Sequence, residues 1–238
     1  MSYFGWLFEP ANWTGSGGVP ARLVEHLGYV ALAMIIALVI ALPVGAWVGH
    51  TGRGGFLVVG SANALRALPT LGVLILLVAP FGLSIIGPLI ALVVLAIPPL
   101  LAGTYAGLRN VDPAVVDAAH GMGMRGPEVL WRVELPNALP LIIGGVRSAV
   151  LQVISTATIA AYVGLGGLGR FIFDGLAQRD FPQMIGGSLL VALLAIIVDL
   201  LLAALQKLIV SPGLQVVPRG ARRLRAVPAT RPAAARAA

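Results

Sequence analysis

Few side chains in this sequence could do covalent or metal chemistry, and they form no catalytic set. The chain has no cysteine, which excludes thiolate catalysis, disulfide bonds and cysteine-ligated zinc. Its three histidines, His26, His50 and His120, are too widely spread to have the spacing of metal ligands. No cluster of histidine and acidic residues offers a nucleophile with a base beside it. The sequence therefore predicts no catalytic residue and no metal site.

Glycines near residue 165 have the spacing of a dinucleotide-binding loop, G-x-G-x-x-G, at Gly164, Gly166 and Gly169. That loop requires a strand before it and a helix after it in a soluble unit, whereas these glycines follow a long apolar segment. We interpret them, with Gly167, as a turn at which helices approach closely or an outer gate pivots. The P-loop pattern for ATP is absent, because the single lysine, Lys207, is followed by leucine.

Two ionisable residues lie inside apolar segments, where such groups are functional candidates by default. Asp199 could line a pathway and attract a cationic group, or it could pair with Arg66 or Arg147; we favour pairing. Arg66 precedes Leu68-Pro69 and could mark a helix break or extend to the membrane surface, and we favour the second. Three hydroxyl residues of a later apolar segment could line a polar path or bond to their own helix backbone: Ser155, Thr156 and Thr158.

The composition identifies the elements that carry these residues. Hydrophobic residues make up 58% of the 238 residues and charged residues 11%, and the mean hydropathy is +0.96. So few charges cannot cover the surface of a soluble protein of this size. We conclude that this is an all-α integral membrane protein, which excludes a cytosolic enzyme, a secreted domain and a nucleic-acid binder. The isoelectric point of about 11.0 is explained by arginines on one side of a membrane.

Apolar runs of about 20 residues predict five membrane-spanning helices. Their predicted ranges are 29–49, 56–79, 85–108, 139–163 and 184–210. The turn between the second and third is predicted from its helix-breaking residues, Pro80, Gly82, Gly87 and Pro88. Five spans place the two termini on opposite sides.

The basic residues predict which side is which. With the amino terminus outside, twelve of the sixteen basic residues flank cytoplasmic ends: Arg53, Arg109, Arg125, Arg132, Arg147, Lys207, Arg219, Arg222, Arg223, Arg225, Arg231 and Arg236. Three lie outside, at Arg22, Arg170 and Arg179. We therefore predict an outside amino terminus and a cytoplasmic carboxyl terminus.

This topology divides the chain into three parts. Residues 1–28 are predicted to be an extracytoplasmic segment, with a short helix at 22–27 leading into the first span. Residues 29–210 form the transmembrane domain and include a cytoplasmic loop at 109–137. The tail 211–238 is rich in proline, alanine and arginine, so we expect it to be disordered. It either attaches to anionic lipid headgroups or is a passive solvated tail.

The loop 109–137 has the pattern of two short helices joined by a turn. Asp112-Pro113 is an N-cap followed by proline at the first helical position, and Gly121 and Gly123 permit the turn. Gly126-Pro127 begins the second helix, which Leu135-Pro136 is predicted to close. The small residues and the carboxylate at Asp117-Ala118-Ala119 suit close contact with a partner and its arginines.

These loop residues resemble the EAA loop of ATP-binding-cassette importer permeases. That loop has Glu-Ala-Ala, three residues, Gly, nine residues, Ile, any residue and Leu-Pro, and here aspartate replaces the glutamate and Val133 the isoleucine. The resemblance implies a type I importer transmembrane domain with the methionine-permease-like fold. It also implies that the loop docks on an ATPase through the matching residues: Asp117, Ala118, Ala119, Gly121, Gly123, Leu135 and Pro136.

A finer similarity points to the osmoprotectant permeases for glycine betaine, carnitine and choline. It is carried by two segments, Gly-Met-Gly-Met at 121–124 and Trp-Arg-Val-Glu-Leu-Pro at 131–136, with support from the segments 163–169 and 193–199. An amino-acid permease, for example for methionine, is the alternative. A self-sufficient secondary transporter or channel is less favoured, since one acid and no internal repeat do not provide ion-coupling sites.

The resemblance implies a set of partners. These are ATPase subunits, an extracytoplasmic solute-binding protein, a second permease copy or a paralogue, and membrane lipid, but no nucleic acid. No cofactor is expected on this chain, since ATP and magnesium would bind the ATPase, and the chain itself would not be an enzyme. We expect a multi-pass protein of the cell membrane, of bacterial or archaeal type.

Overall fold

The computed structural model describes residues 4–82 and 84–210, without the side chains of residues 65 and 66. The predicted disordered tail 211–238 lies outside the described residues. Within these ranges the secondary structure is entirely helical. The α-helices are α1 (Gly5–Phe8), α2 (Val19–Thr51), α3 (Gly55–Ala67), α4 (Thr70–Val78), α5 (Ile86–Arg109), α6 (Pro113–Gly121), α7 (Gly126–Val129), α8 (Leu135–Ala160), α9 (Gly169–Gln178) and α10 (Phe181–Ile209). Short 3₁₀ turns occur at Pro10–Trp13, Ala79–Phe81 and Ala161–Val163, and Leu130–Glu134 is a π-helical segment.

Four helical runs of the described chain are long and apolar enough to cross a membrane: α2, α5, the continuous run Gly126–Val163, and α10. The first, third, fourth and fifth predicted spans correspond to them. The predicted second span, 56–79, is instead two short apolar helices, α3 and α4.

The interruption between α3 and α4 lies at Leu68-Pro69. Proline has no N–H and disfavours a helical residue before it, so Leu68 is extended, with φ −79° and ψ 137°. The break lies close to Arg66, so the helix break, which is the less favoured of the two interpretations of this residue, is present. The Arg66 side chain is outside the described part. A cavity of about 260 Å³ borders the break, and its lining includes Thr70, Pro98 and Gln152.

Other observed helix boundaries also differ from the predicted ones. The predicted separate helix at 22–27 is wrong, because α2 runs without interruption from Val19 to Thr51. The boundary predicted at residue 28 therefore falls inside this helix. Gly87 and Pro88, predicted in the turn, belong to the first turn of α5. Helix α9 was not predicted, since its ten residues are too short and too polar to register as a span.

Helix α5 is the centre of the bundle and packs most extensively against α8 and α2. Glycines set these contacts: a Cβ added to Gly103 would lie 2.6 Å from the Cα of Gly145. On the other side, a Cβ on Gly45 would lie 2.8 Å from the Cβ of Thr104. Close approach through small residues is the usual basis of helix association in membranes. Helix α10 lies at the periphery, and most of its large apolar side chains are exposed.

Candidate functional site: the loop 109–137 and the contacts that anchor it

The first loop helix begins as its sequence predicts. The Oδ1 atom of Asp112 accepts a hydrogen bond of 2.9 Å from the N–H of Ala114, and Pro113 occupies the first helical position. The helix ends at Gly121, and Gly123 follows with φ of 84°, a left-handed conformation that favours glycine. The predicted N-cap and turn are therefore confirmed.

One side of this helix faces outward and the other packs on the second loop helix. Asp117 and Ala118 are exposed, whereas Ala119 is 1% exposed and Val129 of α7 is fully buried. A Cβ on Gly121 or on Gly123 would meet nothing within 4 Å. We call the exposed set Asp117, Ala118, Gly121 and Gly123 the loop face. It presents one carboxylate and small residues that a partner can approach closely, beside the exposed side chains of His120 and Met122.

Leu135 and Pro136 do not join the loop face. The prediction that they close the second loop helix is wrong, because α7 continues through the π segment into α8. Pro136 cannot donate a backbone hydrogen bond, and the widened turn accommodates this: the N–H of Leu135 donates to the oxygen of Leu130, five residues back. The helix therefore begins before the predicted fourth span, 139–163, and Pro140 lies inside α8.

Leu135 and Pro136 line an apolar cavity of about 600 Å³ between α2 and the start of α8. Trp47 and Trp131 also line it, and both are largely exposed, as expected for aromatic residues at a membrane interface. The cavity therefore interrupts the apolar packing between the end of α2 and the loop.

A polar contact that the sequence analysis missed joins α2 to the loop beside this cavity. The Nδ1 atom of His50 lies 2.5 Å from Oε2 of Glu134. The Glu134 side chain is 10% exposed and that of His50 is 25% exposed. The sequence signal for this contact was the acidic residue Glu134 within the segment 131–136. Nothing in the sequence indicates its partner, which is 84 positions away.

The predicted outer turn contacts the opposite end of α2. Gly164 and Gly167 have φ of 95° and 84°, and the N–H of Gly167 donates a 2.9 Å hydrogen bond to Oε2 of Glu25. Gly166 also lies against the Glu25 carboxylate, and a Cβ there would be 2.6 Å from Oε2. A Cβ on Gly169 would collide with the backbone of Thr158 in α8. At this turn, each of the four glycines is favoured either by a positive φ or by a close contact that a side chain would block.

Asp199, predicted to lie inside the membrane, is paired in the structure. Asp199 on α10 accepts two hydrogen bonds from Arg147 on α8, at 2.8 and 3.1 Å. Arg147 also donates to Gln206 at 3.1 Å. Of the two partners that the sequence left open for Asp199, the structure contains the contact with Arg147.

The three hydroxyl residues of α8 are engaged within that helix. Thr158 donates to the oxygen of Ile154 at 3.0 Å, and Ser155 donates to the oxygen of Gln152 at 3.2 Å. Thr156 accepts from the Gln152 amide at 3.3 Å and is buried. Ser155 alone of the three is exposed. In the described part of the chain, no group of three or more histidine or acidic side chains is arranged to hold a metal ion.

Residues 38–211 match the family described as the binding-protein-dependent transport system inner membrane component. This range includes α5, the loop and α8, which are the elements just described. The chain belongs to this family. The family predicted from the loop residues and the membrane location predicted from the composition are thereby confirmed.

Individual members of the permease family are similar over most of the chain. A glycine betaine/carnitine/choline transport system permease of Bacillus subtilis (strain 168) is 33% identical over 202 residues, which cover 85% of this chain and 93% of the relative. An osmoprotectant import permease of Salmonella typhimurium (strain LT2) is 36% identical over 181 residues, covering 75% of this chain and 77% of the relative.

The fold of this permease also has solved counterparts. A chain of the inward-facing MetNI methionine ABC transporter superimposes with a TM-score of 0.73 at 21% identity, covering 85% of this chain and 99% of the other. An amino acid ABC transporter crystallised with histidines gives a TM-score of 0.61 at 21% identity, over 80% and 91% of the two chains. The predicted fold class, an all-helical type I importer transmembrane domain, is confirmed.

Proposed function

We propose that this permease moves an osmoprotectant into the cell: glycine betaine, carnitine, choline or a related quaternary amine. The observation that carries the proposal is the similarity, over 85% of the chain, to a permease named for glycine betaine, carnitine and choline. Relatives named for choline and for carnitine, at 32% and 33% identity, support the same solute class.

The loop face supports a separate ATPase as the energy source. Asp117 is exposed and makes no hydrogen bond or ion pair with the described residues, so its carboxylate is available to a partner's arginine. The chain has no P-loop of its own. ATP and magnesium would therefore bind the partner ATPase, and this chain would carry out transport without covalent chemistry.

The charge pair in the bundle suits weak binding of a quaternary amine. The Asp199 carboxylate is compensated by Arg147, so that pair has no strong isolated charge to retain the ammonium group of the solute. A solute-binding protein outside and a second permease copy or a paralogue complete the proposed importer, and the family description names a binding protein.

Transport by the reconstituted complex tests this proposal. The permease, the ATPase and the binding protein would be placed in liposomes, and uptake of labelled glycine betaine, carnitine, choline and methionine compared. We expect uptake of at least one quaternary amine that requires both ATP and the binding protein. Uptake of methionine alone would favour the amino-acid alternative. Uptake without the ATPase would identify a secondary transporter.

A further inference from the structure

Helix α2 has specific polar contacts at both of its ends, and the proposed function does not account for them. It is continuous over 33 residues, or about 50 Å at 1.5 Å per residue. One end contacts the loop 109–137, and the other contacts the turn 164–169. These are the two regions that the sequence predicts to face the cytoplasm and the outside.

The cytoplasmic contact is the pair His50–Glu134. Glu134 is the last residue of the π segment, so it moves with α7 and with the loop helix packed on α7. His50 lies in the last turn of α2, and a Cβ on Gly126, at the start of α7, would be 3.5 Å from its Nε2. The imidazole therefore binds Glu134 at one end of the segment 126–134 and lies close to Gly126 at the other.

The 600 Å³ cavity increases the importance of this pair. Apolar packing between α2 and the start of α8 is interrupted there, and His50 itself lines the cavity. A hydrogen bond to a carboxyl group with 10% exposure is screened by water less than a solvent-exposed pair is. Movement of the π segment is thus opposed by a directional polar contact with α2 rather than by close packing.

The outer contacts join α2 to the glycine turn and to α8. Glu25 accepts from the N–H of Gly167 and from Arg22, at 2.9 and 2.8 Å. His26 is fully buried, and its Nε2 lies 3.2 Å from the oxygen of Ile154. The left-handed backbone of Gly167 holds its N–H toward the carboxylate. A displacement of α2 would therefore reach the turn directly.

Between its ends, α2 presents a face of small residues to the bundle. Ala33, Ala37 and Ala41 are fully buried, and Gly45 and Gly49 lie close to side chains of α5. Packed helices move past one another by small sliding displacements, and a buried face with mostly small residues and a few larger ones permits such shear. The helix continues through Pro43, so displacement at one end can be transmitted to the other.

We propose that α2 transmits movement of the loop 109–137 to the outer turn 164–169, with His50–Glu134 as its input contact and Glu25–Gly167 as its output contact. The inference rests on the proposed docking of an ATPase on the loop. In this proposal, His50 and Glu134 are positioning residues and bind neither solute nor nucleotide.

The first test measures solute delivered per ATP hydrolysed, using the full complex in liposomes. The variants are His50→Gln, Glu134→Gln, the double variant and Glu25→Gln. Asp174→Asn is the matched control, since it breaks a carboxylate–arginine pair within α9 and changes none of the residues that form these two contacts. We expect the ratio to fall at least about fivefold in each test variant but not in the control. The double variant His50→Gln/Glu134→Gln should lower the ratio no more than either single variant does, because all three remove the same contact.

The exchanged variant His50→Glu/Glu134→His should recover much of the ratio, which loss of folding alone would not allow. Unchanged ratios in His50→Gln and Glu134→Gln would overturn the proposal. Parallel losses of solute transport and ATP hydrolysis, with a lower melting temperature and an unchanged ratio, would also overturn the proposal. They would show that the contact only stabilises the fold.

A second measurement is independent of the solute. The natural chain has no cysteine, so nitroxide labels can be placed at Val24→Cys on α2 and Tyr162→Cys after α8, both exposed sites. The distance between the labels should change when the ATPase is trapped with nucleotide, and should not change in the His50→Gln background. An equal change in both backgrounds would overturn the proposal. A complex that carried a solute other than a quaternary amine would contradict the proposed function only, since this distance requires no solute.

Discussion

Asp117 is the carboxylate of the loop face. Because its side chain is exposed, its role in partner binding can be tested without disturbing the fold. The side chain makes no contact that the fold needs, whereas Ala119, two positions on, is buried against α7. The sequence could predict both residues from their motif. It could not predict that one faces outward and the other inward, because that depends on how α6 lies on α7.

We expect Asp117→Arg to weaken ATPase binding about tenfold or more, since it would oppose the arginine proposed to meet this carboxylate. The melting temperature of the isolated permease should stay unchanged. Binding of purified ATPase to the detergent-solubilised permease measures the effect, with Asp117→Glu as the conservative control. Equal binding by all three proteins would contradict the docking role.

Asp199 illustrates what local sequence cannot decide. Its position in an apolar segment indicated a pair, but the choice between Arg66 and Arg147 depends on which helices are adjacent. The structure places α10 against α8, and the guanidinium of Arg147 lies 2.8 Å from the carboxylate.

Asp199→Asn leaves Arg147 without its counter-charge, so we expect a melting temperature several degrees lower, with transport per folded complex largely retained. Both side chains are about one third exposed, which keeps the expected loss below that of a fully buried pair. Thermal unfolding and uptake measured on the same preparation check this. Loss of uptake at an unchanged melting temperature would indicate a pathway residue instead.

At the scale of elements, the sequence predicts some helix ends better than others. Apolar length predicted α5 to within one residue of each end, since nothing competes with that signal. The π segment was missed because Pro136 reads as a stop, while the actual helix widens and continues. The start of α2 was missed because Arg22, Glu25 and His26 read as polar surface, although their contacts are made within the protein.

Two glycine substitutions of the same size test the contact between α5 and α8. Gly103→Leu should prevent a monodisperse preparation or lower its melting temperature strongly, because the side chain would meet the backbone of Gly145. Gly144→Leu, one residue from the contact, should be tolerated, since a Cβ there meets nothing within 4 Å. Size-exclusion chromatography and thermal unfolding compare the two. Equal tolerance of both would contradict the close packing.

At the scale of the whole molecule, charge distribution predicts the orientation in the membrane. The family could be identified from sequence, and the orientation predicted, because each rests on a local pattern, the loop motif and the position of arginines. The links between the two sides were not, since His50–Glu134 and Glu25–Gly167 join residues 84 and 142 positions apart.

Single-cysteine labelling of the natural cysteine-free chain tests the orientation. A membrane-impermeant thiol reagent should label Arg170→Cys in intact cells with a permeable outer envelope. It should label His120→Cys only after the inner membrane is opened. The reverse pattern would place the loop outside and contradict the proposed ATPase contact.

The break at Leu68-Pro69 also restricts which side of the protein can touch lipid tails. The first turn of α4 has N–H groups that no earlier helical carbonyl accepts, and its N-cap, Pro69, supplies no side-chain bond. Pro98 and Pro99 likewise leave carbonyls of α5 without their usual donors beside the same cavity. Hydrocarbon can satisfy none of these groups, so this flank must meet water or another polypeptide. The interrupted helix thereby marks a side of the molecule that faces away from lipid tails.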